Sequence, residues 1–176
     1  MNNDLYIKKQ VVFPDLFTRI ITLLFDLVLL SVILTWPTQQ LSFLLFKANF
    51  TNFIAQNNLI INSAEDIKLI YTTENITSFP TIKEVAFFWG EFLVCQYLLI
   101  SIYFIFCWTK FGTTIGKYIF KIKIMDFETG SKPTIKQSIV RYLSYVFFTI
   151  SIFTVLFKEK RRALHDIFSG TIVIKN

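Results

Sequence analysis

Residues 20–36 read IITLLFDLVLLSVILTW, seventeen positions with a single charge, Asp26. A helix rises about 1.5 Å per residue and needs about 20 residues to cross a bilayer core, a length this run reaches once Leu16 to Thr18 are included. A carboxylate at the centre of such a helix costs roughly 2.5–3.5 kcal/mol to insert, so Asp26 needs an internal partner or a function. Trp36, Pro37, Thr38 and Gln39 follow the run where a secretory signal would carry a small-residue cleavage site. The run is therefore read as a retained helix.

Two further apolar blocks lie downstream. Val85–Trp108 carries one charge, Glu91, beside Gly90, and Tyr142–Phe157 carries no charge. Apolar residues make up 53% of the 176, aromatics 18% and charged residues only 17%, with 21 Phe and a mean hydropathy of +0.53, a balance foreign to a soluble domain of this size. Cys95 and Cys107 sit inside the second block and read as small apolar residues rather than a redox pair.

The expected architecture is an all-α integral membrane protein, a bundle of three hydrophobic helices over about 16–36, 85–109 and 139–157, forming one domain over 1–176. Pro14 and Asp15 start the first helix, and Trp36 with Pro37 marks its exit. The extramembrane segment 37–84 carries Phe43, Phe46, Phe50 and Phe53 at helical spacing, which suits an interfacial helix or a helix capping the bundle. Thr81 and Glu84 fit a capping box for the second long helix. The basic segment 110–138 alternates Phe120, Ile122 and Ile124 with Lys121 and Lys123, and the basic tail 158–176 ends on Thr171–Ile174. These predict a small amphipathic strand pair at the cytoplasmic face.

Charge sets the topology and leaves two versions. Lys and Arg concentrate before residue 20, in 110–138 and in 158–176, whereas 37–84 is balanced by four acids, so the N-terminus and 110–138 are expected in the cytoplasm. Three full spans would put the basic tail on the other side. A re-entrant or bent third segment would return it to the cytoplasm and let the two strands meet. The third run is short for a span, but its uniform apolarity tilts the expectation toward three spans.

Three stretches resemble the RDD family of membrane proteins: Arg19 seven residues before Asp26, Thr114-Ile115-Gly116-Lys117 leading to Lys123-Ile124-Met125-Asp126, and Arg162-Ala163-Leu164-His165-Asp166 followed by Gly170–Ile174. The family's one Arg and two Asp map onto Arg19, Asp26 and Asp166. Segment 37–84 is longer and more polar than a usual family connection, and position 18 is Thr where members often carry a second Arg. The resemblance implies a small bacterial inner-membrane, multi-pass protein of a class for which transport of ions or small molecules has been proposed.

The intramembrane charges Arg19, Asp26, Glu91 and Arg141 are the candidate site, either titrating or binding a cation along a polar path or fixing how helices pack. Arg19 lies about 10 Å along the axis from Asp26, so a partner from another helix is expected, with Arg141 and the hydroxyls or backbone of Thr22 and Tyr97 as candidates. Asp166 is expected to answer Arg161, Arg162 or the 110–138 segment. Lys121, Lys123, Arg161 and Arg162 are expected at lipid headgroups, about 1 kcal/mol each. His165 and Asp166 lack the companions of a zinc site or a catalytic pair, so neither metal, cofactor nor enzyme chemistry is expected.

Two functions follow. In the first, the chain is part of an ion or small-solute transporter. Two or three helices cannot wall a pathway, so this reading implies a homo-oligomer or a larger membrane complex. In the second, it is a non-transporting adaptor that binds a protein partner or lipid through its basic face. The net charge of +6 hugs the apolar runs, and nucleic acid is not an expected partner.

Overall fold

The computed structural model describes residues 12–70, 76–147 and 163–175. Its elements are α1 (Leu16–Ile33), α2 (Thr35–Asn49), α3 (Thr51–Gln56), α4 (Ala64–Ile70), α5 (Ile82–Phe111), α6 (Ile115–Ile119), β1 (Ile122–Asp126), α7 (Ile135–Leu143) with a 3-10 turn over Ser144–Phe147, α8 (Leu164–Phe168) and β2 (Thr171–Lys175). The structure divides into two compact units, Met1–Leu30 with Ser101–Asn176, and Ser31–Ile100.

Helices α1 and α5 are long and apolar enough to cross a membrane. A soluble core helix would bury its apolar side chains, but Phe17, Val28 and Val32 on α1 and Leu93, Leu98 and Ile102 on α5 are exposed. What α1 does bury recurs every three or four residues: Thr22, Asp26 and Leu30, with Arg19 in the same row. The helix is thus inverted, apolar outside and polar inside, as a bilayer rather than water demands.

In the unit containing both termini, β1 and β2 pair antiparallel, from Ile122 opposite Lys175 to Asp126 opposite Thr171. Ile122, Ile124, Val173 and Thr171 point inward, and Lys123 faces out. The expected strand pair therefore forms, although Phe120 precedes it in a turn. Gly112 ends α5 at φ +69°, and its carbonyl accepts from the Ile124 N–H at 2.7 Å, so the sheet begins at the foot of α5. Val12 bridges to Lys175, which adds the lead-in to α1 to the same edge.

The other unit folds 35–70 as helices around Phe50, Phe53, Ile61 and Ile70, with Phe46 stacked on Phe50 at 4.5 Å. The phenylalanine spacing read in the sequence thus forms a small core, with Val85 and Phe88 of α5 packed against it. Pro37 does not mark an exit: it sits in the first turn of α2, where its missing N–H costs nothing. The Thr81–Glu84 capping box forms, with the Thr81 N–H donating to Glu84 at 2.8 Å, and α5 starts at Ile82, three residues before the apolar run. The third expected helix starts at Ile135 rather than 139, set by a capping box between Thr134 and Gln137. Residues 148–157 of that expectation lie outside the described residues.

Candidate functional site

Two buried carboxylates organise the unit that holds both termini. Asp26 is fully buried on α1. Its Oδ1 accepts from the Tyr103 hydroxyl of α5 at 2.9 Å and from the Gly116 N–H at 2.7 Å, and its Oδ2 accepts from the Thr114 hydroxyl at 2.5 Å. Lys117 Nζ stands 4.0 Å from Oδ2. Thr114 is also the N-cap of α6, so the first turn of that short helix wraps the carboxylate with its cap hydroxyl, a backbone N–H and an ammonium.

Gly116 is required by this approach. A Cβ there would fall 2.4 Å from the Thr22 carbonyl, closer than a side chain tolerates, and 3.0 Å from Asp26 Cγ, which would have to give way. The Thr22 hydroxyl itself turns back to the Arg19 carbonyl at 2.9 Å.

Lys117 is almost completely buried, and burial pushes its ammonium down to about 8, with Asp26 opposing that shift and Arg141 adding to it. An ordinary lysine keeps its proton well above neutral pH; this one can release it near the pH of a cell.

Asp166, at the start of α8, is the second centre. Its Oδ1 lies 2.6 Å from Arg141 Nη1 and its Oδ2 2.8 Å from Arg19 Nη1, while the Ala163 N–H donates to Oδ2 at 3.1 Å. Burial alone would raise this carboxyl, but the two guanidinium groups, Arg141 foremost, hold it well below the usual carboxylate range. Arg141 lies over the Trp108 ring at 5.3 Å and donates to the Thr171 hydroxyl at 2.5 Å. His165 stacks on Tyr145 with ring centroids 4.4 Å apart, and burial pushes its imidazole down to about 3, so it stays neutral at physiological pH.

The partners expected from sequence are redistributed. Arg19 and Arg141 both meet Asp166, and neither of them meets Asp26. The Thr22 hydroxyl is turned to the Arg19 carbonyl, and the partners of Asp26 among the described residues are Tyr103, Thr114, Gly116 and Lys117. Sequence reasoning missed all four of these, although Thr114-Ile115-Gly116-Lys117 carried a signal: a helix cap, a glycine and a lysine directly after a long apolar helix. Glu91 belongs to the other unit, where it is exposed and accepts from Asn49 at 2.8 Å. Lys121 and Lys123 are exposed. Arg161 and Arg162 lie outside the described residues.

Two helices long and apolar enough to cross a membrane, with exposed apolar flanks and an inward polar row on the first, fit the class of helical membrane proteins. The sequence comparisons give that class a family. The RDD family model matches residues 13–170, and the chain belongs to the RDD family, whose members are membrane proteins. It is also similar to an uncharacterised protein of Rickettsia prowazekii (strain Madrid E), 36% identical over 173 residues, which cover 96% of this chain and 99% of the relative. No solved structure matches.

Proposed function

We propose that the chain is part of an ion or small-solute transporter working as an oligomer in the bacterial inner membrane, with its N-terminus in the cytoplasm and with Asp26 and Lys117 as the exchangeable site. The carrying observation is the buried ammonium 4.0 Å from a buried carboxylate, with burial pushing that ammonium to about 8. When Lys117 keeps its proton, it balances Asp26. When it loses the proton, Asp26 is left as a buried carboxylate whose neighbouring ammonium charge is gone, a setting that attracts a cation. Proton release and cation entry are thereby coupled at one point. The two candidate spans among the described residues are too few to wall a path, which is why the reading includes an oligomer.

The adaptor reading is favoured by a different observation, the exposed lysines 121 and 123 beside a sheet that no transport path needs. Reconstitution separates the two. Wild type, Asp26→Asn and Lys117→Gln are placed in vesicles, and cation-driven pH change is followed, with fold and oligomer checked in each. Flux in wild type that both substitutions abolish supports transport. Absence of flux in a folded wild-type oligomer, with a co-purifying partner, supports the adaptor.

A further inference from the structure

Helix α7 has its chemistry the wrong way round for a helix resting on a protein in water. Ile135, Ile139 and Leu143, spaced by four, are 65%, 41% and 55% exposed, while Ser138 and Arg141 between them are buried. A stripe of this kind on the outside needs an apolar medium.

The depth of that stripe follows from α5. Lys132, just before α7, donates its ammonium to the Lys110 carbonyl at 2.9 Å, in the last turn of α5. At the other end of α7, Arg141 covers Trp108, and the Tyr142 ring lies 6.1 Å from that of Phe104. The helix therefore starts level with the foot of α5 and lies back along its last two turns, about 9 Å of helical rise. Phe106, on those same turns, is exposed as a lipid-facing residue would be.

The chain also comes back. α8 docks on the 3-10 turn through the stack of His165 on Tyr145, and β2 pairs with β1, which hangs from Gly112 at the foot of α5. Hydrogen-bonded strands share one side of a membrane, so β1 and β2 lie at the face where α5 ends.

We propose that α7 dips into the bilayer from the face where α5 ends and lays Ile135, Ile139 and Leu143 against lipid acyl chains, with β2 held at that same face. Arg141 is tolerated at that depth because Asp166, Thr171 and Trp108 enclose it. Lys136, exposed one residue into α7, sits at the headgroups. The inference rests on the membrane class alone and is indifferent to what the protein carries.

The test uses the full chain with Cys95 and Cys107 replaced by Ala, in vesicles of phosphatidylethanolamine and phosphatidylglycerol. Spin labels are attached to Ile135→Cys, Ile139→Cys, Leu143→Cys and Lys136→Cys, and collisions with oxygen and with a water-soluble nickel chelate are compared. The expected result is an oxygen-to-nickel ratio severalfold higher at 135, 139 and 143 than at 136. Ready access of nickel to the three stripe positions overturns the proposal, as does protection from both reagents, which would put protein rather than lipid on the stripe. A separate arm labels Val12→Cys and Lys175→Cys with an impermeant maleimide. Reaction of both from one side supports the shared face, and reaction from opposite sides overturns it.

Discussion

Asp26 and Asp166 are both fully buried aspartates in one unit of this chain, yet they are held by different chemistry. Asp166 is clamped between two guanidinium groups at 2.6 and 2.8 Å. Asp26 is held by two hydroxyls and a backbone N–H, with its only cation among the described residues, the Lys117 ammonium, at 4.0 Å. Guanidinium stays charged at any pH a cell meets, so the Asp166 centre is a fixed clasp joining α1, α7 and α8. Ammonium can be discharged by burial, so the Asp26 centre can change its charge without losing its hydrogen bonds. The two aspartates of the family pattern thus divide into a lock and a titratable site, and the single Arg of that pattern serves the lock.

The contrast is broken most forcefully at Asp166. Asp166→Asn removes the charge that Arg141 and Arg19 approach at 2.6 and 2.8 Å, a loss of about 3–5 kcal/mol. Asp26→Asn keeps an acceptor for the Tyr103 hydroxyl and the Gly116 N–H, turns the Thr114 hydroxyl from donor to acceptor, and should cost less, about 1–3 kcal/mol. Unfolding in mixed micelles measures both, and equal losses would remove the distinction between lock and titratable site. Next in size is Gly116→Ala, whose methyl would have to displace the Thr22 carbonyl from 2.4 Å. It is expected to cost about 1–3 kcal/mol and to detach α6 from α1, read as new reactivity of Lys117 toward an amine reagent.

Acidity sharpens the same comparison. The unfolded chain takes a proton on His165 near 6.5 and the folded chain only at about 3, so stability falls as the pH drops through that window. Asp166 adds to the loss below its ordinary value of 3.8, because its folded pKa is lower still. Lys117 acts in the alkaline range: neutral in the folded chain above about 8 and charged in the unfolded chain up to 10.5, it adds stability as the pH rises between the two. Unfolding midpoints from acid to alkaline pH should rise, level off between about 6.5 and 8, and rise again. Lys117→Met should erase the alkaline rise and leave the acid limb untouched.

Much of this was legible in the sequence because the bilayer imposes simple rules. The long helices, the strand pair and the Thr81–Glu84 cap all follow from local periodicity and turn chemistry. The partners of the charges did not follow, because pairing is decided by which elements pack together and not by distance along the chain. Arg19 and Asp26 share a face of α1 but stand about 10 Å apart along it, so the expectation of a partner from another element holds for both, while the choice of Arg141 for Asp26 does not. Segment 37–84 was misjudged at Pro37, where the same residue that ends one helix is at home in the first turn of the next.

The smallest effect belongs to Glu91, the other acid in an apolar run. Glu91 was grouped with Asp26 on sequence because both interrupt long hydrophobic helices, but Glu91 is exposed and its partner is the Asn49 amide at 2.8 Å. A neutral amide in its place still accepts that hydrogen bond, and no cation is left behind. Glu91→Gln should therefore change stability by no more than about 0.5 kcal/mol and leave the alkaline rise of Lys117 where it is. A large loss would mean that an interrupted apolar run is itself the signal of a functional charge. A small one would show that the signal lies in burial with a cation close by, a condition that Asp26 and Asp166 meet and Glu91 does not.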